Sequence, residues 1–207
     1  MNWCSGSIAA VAMASLGVAS MAAQAVMGAP SPAPDTEAAA AMRQKINTPS
    51  RAHRKLDVFV GVWEARMSLW MDPSQPPVIS EGTLEQKWIL DGRFLQQTYQ
   101  GGLMGAPFSG VGYIGYDNSL RKYLSTWMDS AGTTISTRSG RFDEAGKTLT
   151  LTGEVDDYIR GRIIPVSDRM VVVNPSEYVF ETWQPGPDGK DCRVMLVRYT
   201  RKAESAK

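Results

Sequence analysis

The sequence predicts an all-β fold, a single antiparallel up-and-down barrel of about ten strands with a short N-terminal capping helix. Three observations predict it. From residue 62 onward the chain is a succession of short runs rich in Val, Ile, Thr, Tyr, Phe and Trp, broken by Gly, Asn, Asp and Pro. No connection between those runs is long enough for a parallel crossover with its helix, so successive runs pair as hairpins. A meander that closes on itself leaves no strand edge exposed, which favours a barrel over a two-sheet sandwich.

The elements follow in order. Residues 50–60 form the capping helix, with Ser50 as N-cap and Leu56, Phe59 and Val60 on one apolar stripe. Strands are expected at residues 62–71, 78–90, 93–100, 108–116, 122–128, 133–142, 148–156, 163–173, 178–183 and 193–201. Asp91-Gly92 between Leu90 and Arg93 is a two-residue hairpin signal. Asp117-Asn118, Ser130-Ala131-Gly132, Glu144-Ala145-Gly146, Asn174-Pro175 and the stretch 185–189 supply further turns.

The first 50 residues have a different texture. Residues 1–25 contain no Asp, Glu, Lys or Arg and end in Ala23-Gln24-Ala25, a small-x-small pattern. They read as a signal peptide, and the expected location is exported, periplasmic or secreted, with an uncleaved N-terminal membrane anchor as the runner-up. Cys4 precedes the apolar run, which argues against lipidation there. Residues 26–49, with Pro30, Pro32 and Pro34, read as a Pro/Ala-rich linker in which 37–45 has helical composition but few large apolar residues. The barrel domain is placed at 50–203, a length that buries a core of its own. Cleavage after Ala25 leaves Cys192 as the one cysteine and no stable transmembrane segment.

Lys plus Arg number 22 against 21 Asp plus Glu, for a formal net charge of +1. No basic stripe is present, so nucleic acid is excluded as a partner. His53 is the single histidine, and no His/Cys/carboxylate cluster has zinc-ligand spacing, so no metal is expected. There is no Gly-x-Ser-x-Gly, phosphate loop or dinucleotide fingerprint, and no catalytic residue is assigned. Asp156 and Asp157 are adjacent and point to opposite faces of a strand, whereas Asp117 and Asp129 are expected near the same barrel end.

Alternation gives one clear inner face, Trp63, Ala65, Met67, Leu69 and Met71, in the first strand. Elsewhere the faces are mixed, as expected of a barrel with a pocket. Trp88, Tyr99, Tyr113, Trp127 and Met195 are the candidate ligand contacts, with Arg66 as the polar candidate for an acidic head group.

Several separated motifs resemble one family. They include His53-Arg54-Lys55-Leu56-Asp57, Gly61-Val62-Trp63-Glu64, Ser80-Glu81-Gly82-Thr83, the run from Trp88 to Gln96, Met104 to Phe108, Gly115-Tyr116-Asp117-Asn118, Lys122 to Ser130 and Tyr199-Thr200-Arg201. The chain from His53 to Arg201 is similar to the domain of unknown function 1579 family, whose resemblance implies a calycin-like barrel of the lipocalin and nitrobindin type. In such barrels a Gly-x-Trp opens the first strand and its Trp packs beneath an Arg of the last strand. The resemblance thus implies barrel closure through Trp63 and either Arg198 or Arg201. Nitrobindin-type haem binding needs a late histidine that this chain lacks, so no cofactor is expected.

The functional expectation is an extracytoplasmic barrel binding a small, partly apolar or amphipathic molecule. The alternatives are an envelope protein-interaction or structural domain with a filled barrel, whose protein partner the residues do not name, and an enzyme using carboxylate and tyrosine groups at the mouth.

Overall fold

A computed structural model describes residues 36–72, 74–157, 161–186 and 189–203. The expected signal peptide at 1–25 lies outside these residues. Within the expected linker, Thr36–Asn47 is an α-helix (α1), and none of its side chains is buried. It is held at its C-terminal end, where Asn118 Nδ2 donates to the Ile46 and Thr48 carbonyls at 2.8 and 2.9 Å.

The expected capping helix is two pieces: one α-helical turn, Arg51–Arg54 (α2), and the 3-10 segment Lys55–Phe59. The tighter winding drives both Leu56 and Phe59 to 0 % exposure beneath the barrel.

Ten strands follow: β1 Gly61–Leu69, β2 Val78–Ile89, β3 Phe94–Leu103, β4 Ala106–Asp117, β5 Lys122–Asp129, β6 Ser136–Phe142, β7 Thr148–Asp157, β8 Arg162–Asn174, β9 Glu177–Pro185 and β10 Asp191–Arg201. Each pairs with its sequence neighbours, and β1 pairs antiparallel with β10 from Trp63↔Arg201 to Leu69↔Met195. The sheet is therefore a closed antiparallel barrel, as the turn spacing predicts. The Asp91-Gly92 turn differs in detail. β2 and β3 come together at Ile89↔Phe94, so four residues connect them. Leu90, Asp91 and Gly92 all take positive φ, which lets the Ile89 carbonyl accept from both Gly92 and Arg93.

The two barrel ends are unlike. At the end that receives the cap, Phe59 meets Tyr178 edge-on at 5.0 Å, and Tyr178 meets Trp63 at 4.8 Å. A buried polar chain locks this layer. Gln86 Nε2 donates to the Phe59 carbonyl and to the Tyr178 hydroxyl, both at 2.9 Å, while Gln97 Nε2 donates to Gln86 Oε1 at 2.8 Å. Gln86 is 1 % exposed, so these bonds replace all of its water. Trp63 Nε1 donates to the same Phe59 carbonyl at 2.8 Å. Among the described residues the opposite end has no such plug.

Candidate functional site

Among the described residues the barrel is open at the end opposite the cap, where β1, β3, β5, β7 and β9 finish. Behind that mouth lies a cavity of about 340 Å³. This is at the small end of the roughly 300–1,000 Å³ seen for small-molecule sites. Its walls are mainly Leu84, Phe108, Trp127, Phe180, Met195 and Val197. Around the mouth, Met71, Met104, Ile135 and Ile163 stand exposed, giving an apolar rim.

Small residues shape the interior. β4 turns Gly110 and Gly112 inward, and the Trp127 indole lies flat on them; a Cβ on Gly112 would come 2.7 Å from the ring. Trp127 Nε1 donates to Asp129 Oδ2 at 2.9 Å, and Asp129 Oδ1 accepts from the Ala131 amide at 3.0 Å. The ring is thereby fixed in plane as one wall of the cavity.

The polar element of the cavity comes from three strands. Arg138 of β6 lies across Gly153 of β7, where a Cβ would come 2.8 Å from its Cδ. Its Nη1 donates to the Thr137 carbonyl at 2.9 Å and more weakly to the Glu154 carbonyl at 3.4 Å. Its Nε stands 3.4 Å from Asp168 Oδ2 of β8, with the two side chains only 9 % and 14 % exposed. Thr182 of β9 donates its hydroxyl to Asp168 Oδ1 at 2.8 Å. Burial pushes the Asp168 carboxyl above its ordinary range, while the Thr182 hydroxyl and the Arg138 charge pull it down. Tyr99, 2 % exposed, also lines the cavity, and burial raises its hydroxyl pKa.

Of the sequence-predicted ligand contacts, Tyr99, Trp127 and Met195 line this cavity. Three others do not. Arg66 is on the outer face of β1, paired with Glu81 at 3.1 Å, because Met67 and Ala65 take the inward positions. Tyr113 points outward because its neighbours Gly112 and Ile114 face in. Trp88 sits at the capped end, where its Nε1 donates to Asp57 Oδ1 at 2.8 Å and Arg54 lies 5.5 Å over its ring.

Of the two closure candidates, Arg201 stacks on Trp63 at 4.1 Å and donates to the Val60, Val58 and Pro175 carbonyls at 2.7, 3.2 and 3.1 Å. Arg198 is outside, paired with Glu177. Met71 lies beyond the end of β1 and is 70 % exposed, not part of the inner face. Asp117 and Asp129 close opposite ends of β4 and β5, so they do not share a barrel end. Among the described residues no three His, Cys, Asp or Glu side chains gather as a metal site. None of the described helices is long and apolar enough to cross a membrane.

Sequence reasoning missed Arg138, Asp168 and Thr182. The signal for Arg138 was its parity with Phe142 along a strand, which puts both on the inner face.

The geometry can be set beside known proteins. A family model described as protein of unknown function (DUF1579) matches residues 48–201. No curated protein matches the chain. Among solved structures, Rv2717c from M. tuberculosis is 15 % identical with a TM-score of 0.55, over 75 % of this chain and 100 % of that one. A redesigned β-barrel, b11L5F_LGL, is 15 % identical with a TM-score of 0.38, over 76 % of this chain and 100 % of that one. Another, mFAP0, bound to DFHBI in its structure, is 14 % identical with a TM-score of 0.37, over 70 % and 99 %. At these identities the first likeness speaks to the fold alone, and the two redesigned barrels carry no argument about this chain.

Proposed function

The chain belongs to the DUF1579 family, and from that premise we propose that it is an exported, noncatalytic barrel that holds a small, partly apolar molecule inside. The observation that carries this reading is the cavity of about 340 Å³, open at one end, apolar in most of its wall and provided with one buried polar cluster. That is the composition of a small-molecule site: apolar area for affinity and a few placed polar groups for orientation. The exposed apolar side chains around the mouth offer an entering amphiphile its first contacts.

Export is supported by the uncharged residues 1–25 and the Ala23-Gln24-Ala25 pattern. Sequencing the N-terminus of the protein from fractionated cells tests this part. A mature start at Val26 in the extracytoplasmic fraction is expected, and an intact cytoplasmic chain overturns it.

The binding reading is tested by native mass spectrometry of the protein purified from its own envelope. A stoichiometric excess mass, released by solvent extraction, is the expected result. A bare polypeptide that also takes up no hydrophobic probe refutes the reading and favours a filled interaction domain.

A further inference from the structure

We infer that the protein carries a second site, at its capped end, where Lys55, Arg121 and Arg141 take a phosphate group. The site is separate from the barrel cavity and goes beyond the function read from that cavity.

Three elements meet around an open cleft of about 450 Å³. The cap contributes Ala52 and Lys55, the β4–β5 connection Leu120 and Arg121, and the end of β6 Arg141 and Phe142. No Asp or Glu is among the residues that line it. Arg141 Nε donates to the Arg121 carbonyl at 3.4 Å, which sets one guanidinium beside the backbone of the other arginine. Lys55 Nζ lies 5.7 Å over the Phe142 ring, so its ammonium stands on an aromatic wall of the same cleft.

Among the described residues none of these three cations forms an ion pair with a carboxylate, whereas Arg54, Arg66, Arg93 and Arg198 elsewhere on the outside do. Two acids close by in sequence are engaged by turn amides. Asp117 Oδ1 accepts from Ser119 and Leu120, and Asp143 Oδ1 accepts from Lys147. Like charges gathered without a counter-charge repel one another, and a bound anion relieves that repulsion.

The backbone supplies an independent observation. Arg121 has φ 54°, in the left-handed region that favours Gly and Asn. Turn chemistry by itself calls for one of those two, so a long cation stands here against the local preference. Its side chain lines the cleft, and that is where the arginine has a use. Charge and shape then choose the ligand. A carboxylate brings one negative charge, whereas a phosphate monoester brings nearly two and three acceptor oxygens that suit guanidinium donors. The cleft leaves room beside the phosphate for the group esterified to it.

The test uses the whole purified chain in low-salt, phosphate-free buffer at pH 8, where a phosphate monoester is a dianion. The probes are glycerol 3-phosphate and acetate, read by titration calorimetry and by the Arg121 and Arg141 Nε–H signals in ¹H–¹⁵N spectra. Glycerol 3-phosphate is expected to bind at least about tenfold tighter than acetate and to shift both signals. Arg141→Gln and Arg121→Asn should each weaken it at least about fivefold, and Arg66→Gln, on the outer face of β1, should leave it unchanged. Arg121→Asn also separates binding from folding. Asn accepts the positive φ more readily, so the urea midpoint should hold or rise while the phosphate is lost. Acetate binding as tightly as glycerol 3-phosphate, no saturable binding of glycerol 3-phosphate, or an affinity that neither arginine variant changes overturns the inference. The source of the phosphate is read from vesicles of phosphatidylcholine with phosphatidic acid. Co-sedimentation that glycerol 3-phosphate reverses assigns a lipid head group, and binding of glycerol 3-phosphate without co-sedimentation assigns a soluble ester; both uphold the site. The cavity reading stands or falls by its own test, since none of these probes reports on the barrel interior.

Discussion

Arg201→Met is the sharpest test of how the barrel holds together. The guanidinium is stacked 4.1 Å over Trp63 and joins three segments at once: the 3-10 cap through the Val58 carbonyl, the start of β1 through Val60, and the β8–β9 turn through Pro175. The bond to Pro175 is exposed and is counted at nothing. Each part-buried bond to Val58 and Val60 contributes about 1 kcal/mol after competition with water. The stack on Trp63 adds about 1 kcal/mol. Methionine keeps much of the apolar contact with the ring, so the loss comes to about 3 kcal/mol. For a domain of this size a urea m-value of about 2 kcal/mol/M turns that into a midpoint lowered by about 1.5 M at constant m. Arg201→Lys retains charge and one bond, and should fall about halfway. Exchange of the Trp63 indole N–H, which donates to Phe59, should quicken in step as the cap loosens. A midpoint shift below about 0.4 M for Arg201→Met, or a change in m without loss of stability, would refute the assignment of closure to this residue.

Two further outcomes follow from the capped end. Gln86→Leu strands the buried Tyr178 hydroxyl and the Gln97 amide, and should cost about 3 kcal/mol in the same urea assay. A loss under about 1 kcal/mol would mean that the layer repacks. His53 accepts from the Ser50 amide on Nδ1 at 2.9 Å, and burial, then Arg54 and Arg93, hold its pKa below the ordinary value of 6.5. Its stabilising contribution is complete above that value and is lost as pH falls toward the lower folded-state value, because the unfolded chain takes the proton first. The slope reaches at most about 1.4 kcal/mol per pH unit. His53→Asn, which keeps an acceptor but no proton site, should flatten the stability profile just below pH 6.5; an unchanged slope would place the acid sensitivity elsewhere.

Strand number, order and closure were legible because hairpin spacing and turn chemistry are local. The inner face of β1 was legible too, since its apolar parity is unmixed through Leu69. The cavity wall was not, and β4 shows why. Its inward set is Phe108, Gly110, Gly112 and Ile114, while Val111 and Tyr113 face out. Hydrophobicity therefore points the wrong way there. The glycines are inside because the Trp127 ring from the next strand occupies their side-chain space. Arg138 was hidden by the same logic: a strand arginine reads as solvent-facing unless Gly153 on β7 is seen to make room for it. Which residue fills another's absent side chain is a cross-strand fact, set by register, and no single strand announces it.

The closed meander also fixes a direction. β1 begins and β10 ends at the capped end, and α1 is fastened there through Asn118. The described chain thus enters and leaves the barrel at its capped end, and the mouth looks the other way. A tether that held the barrel through α1 would grip it by the capped end and leave the mouth facing away, like a cup on a stem. A bulky insertion at Met104-Gly105, by contrast, would sit on the lip of the opening.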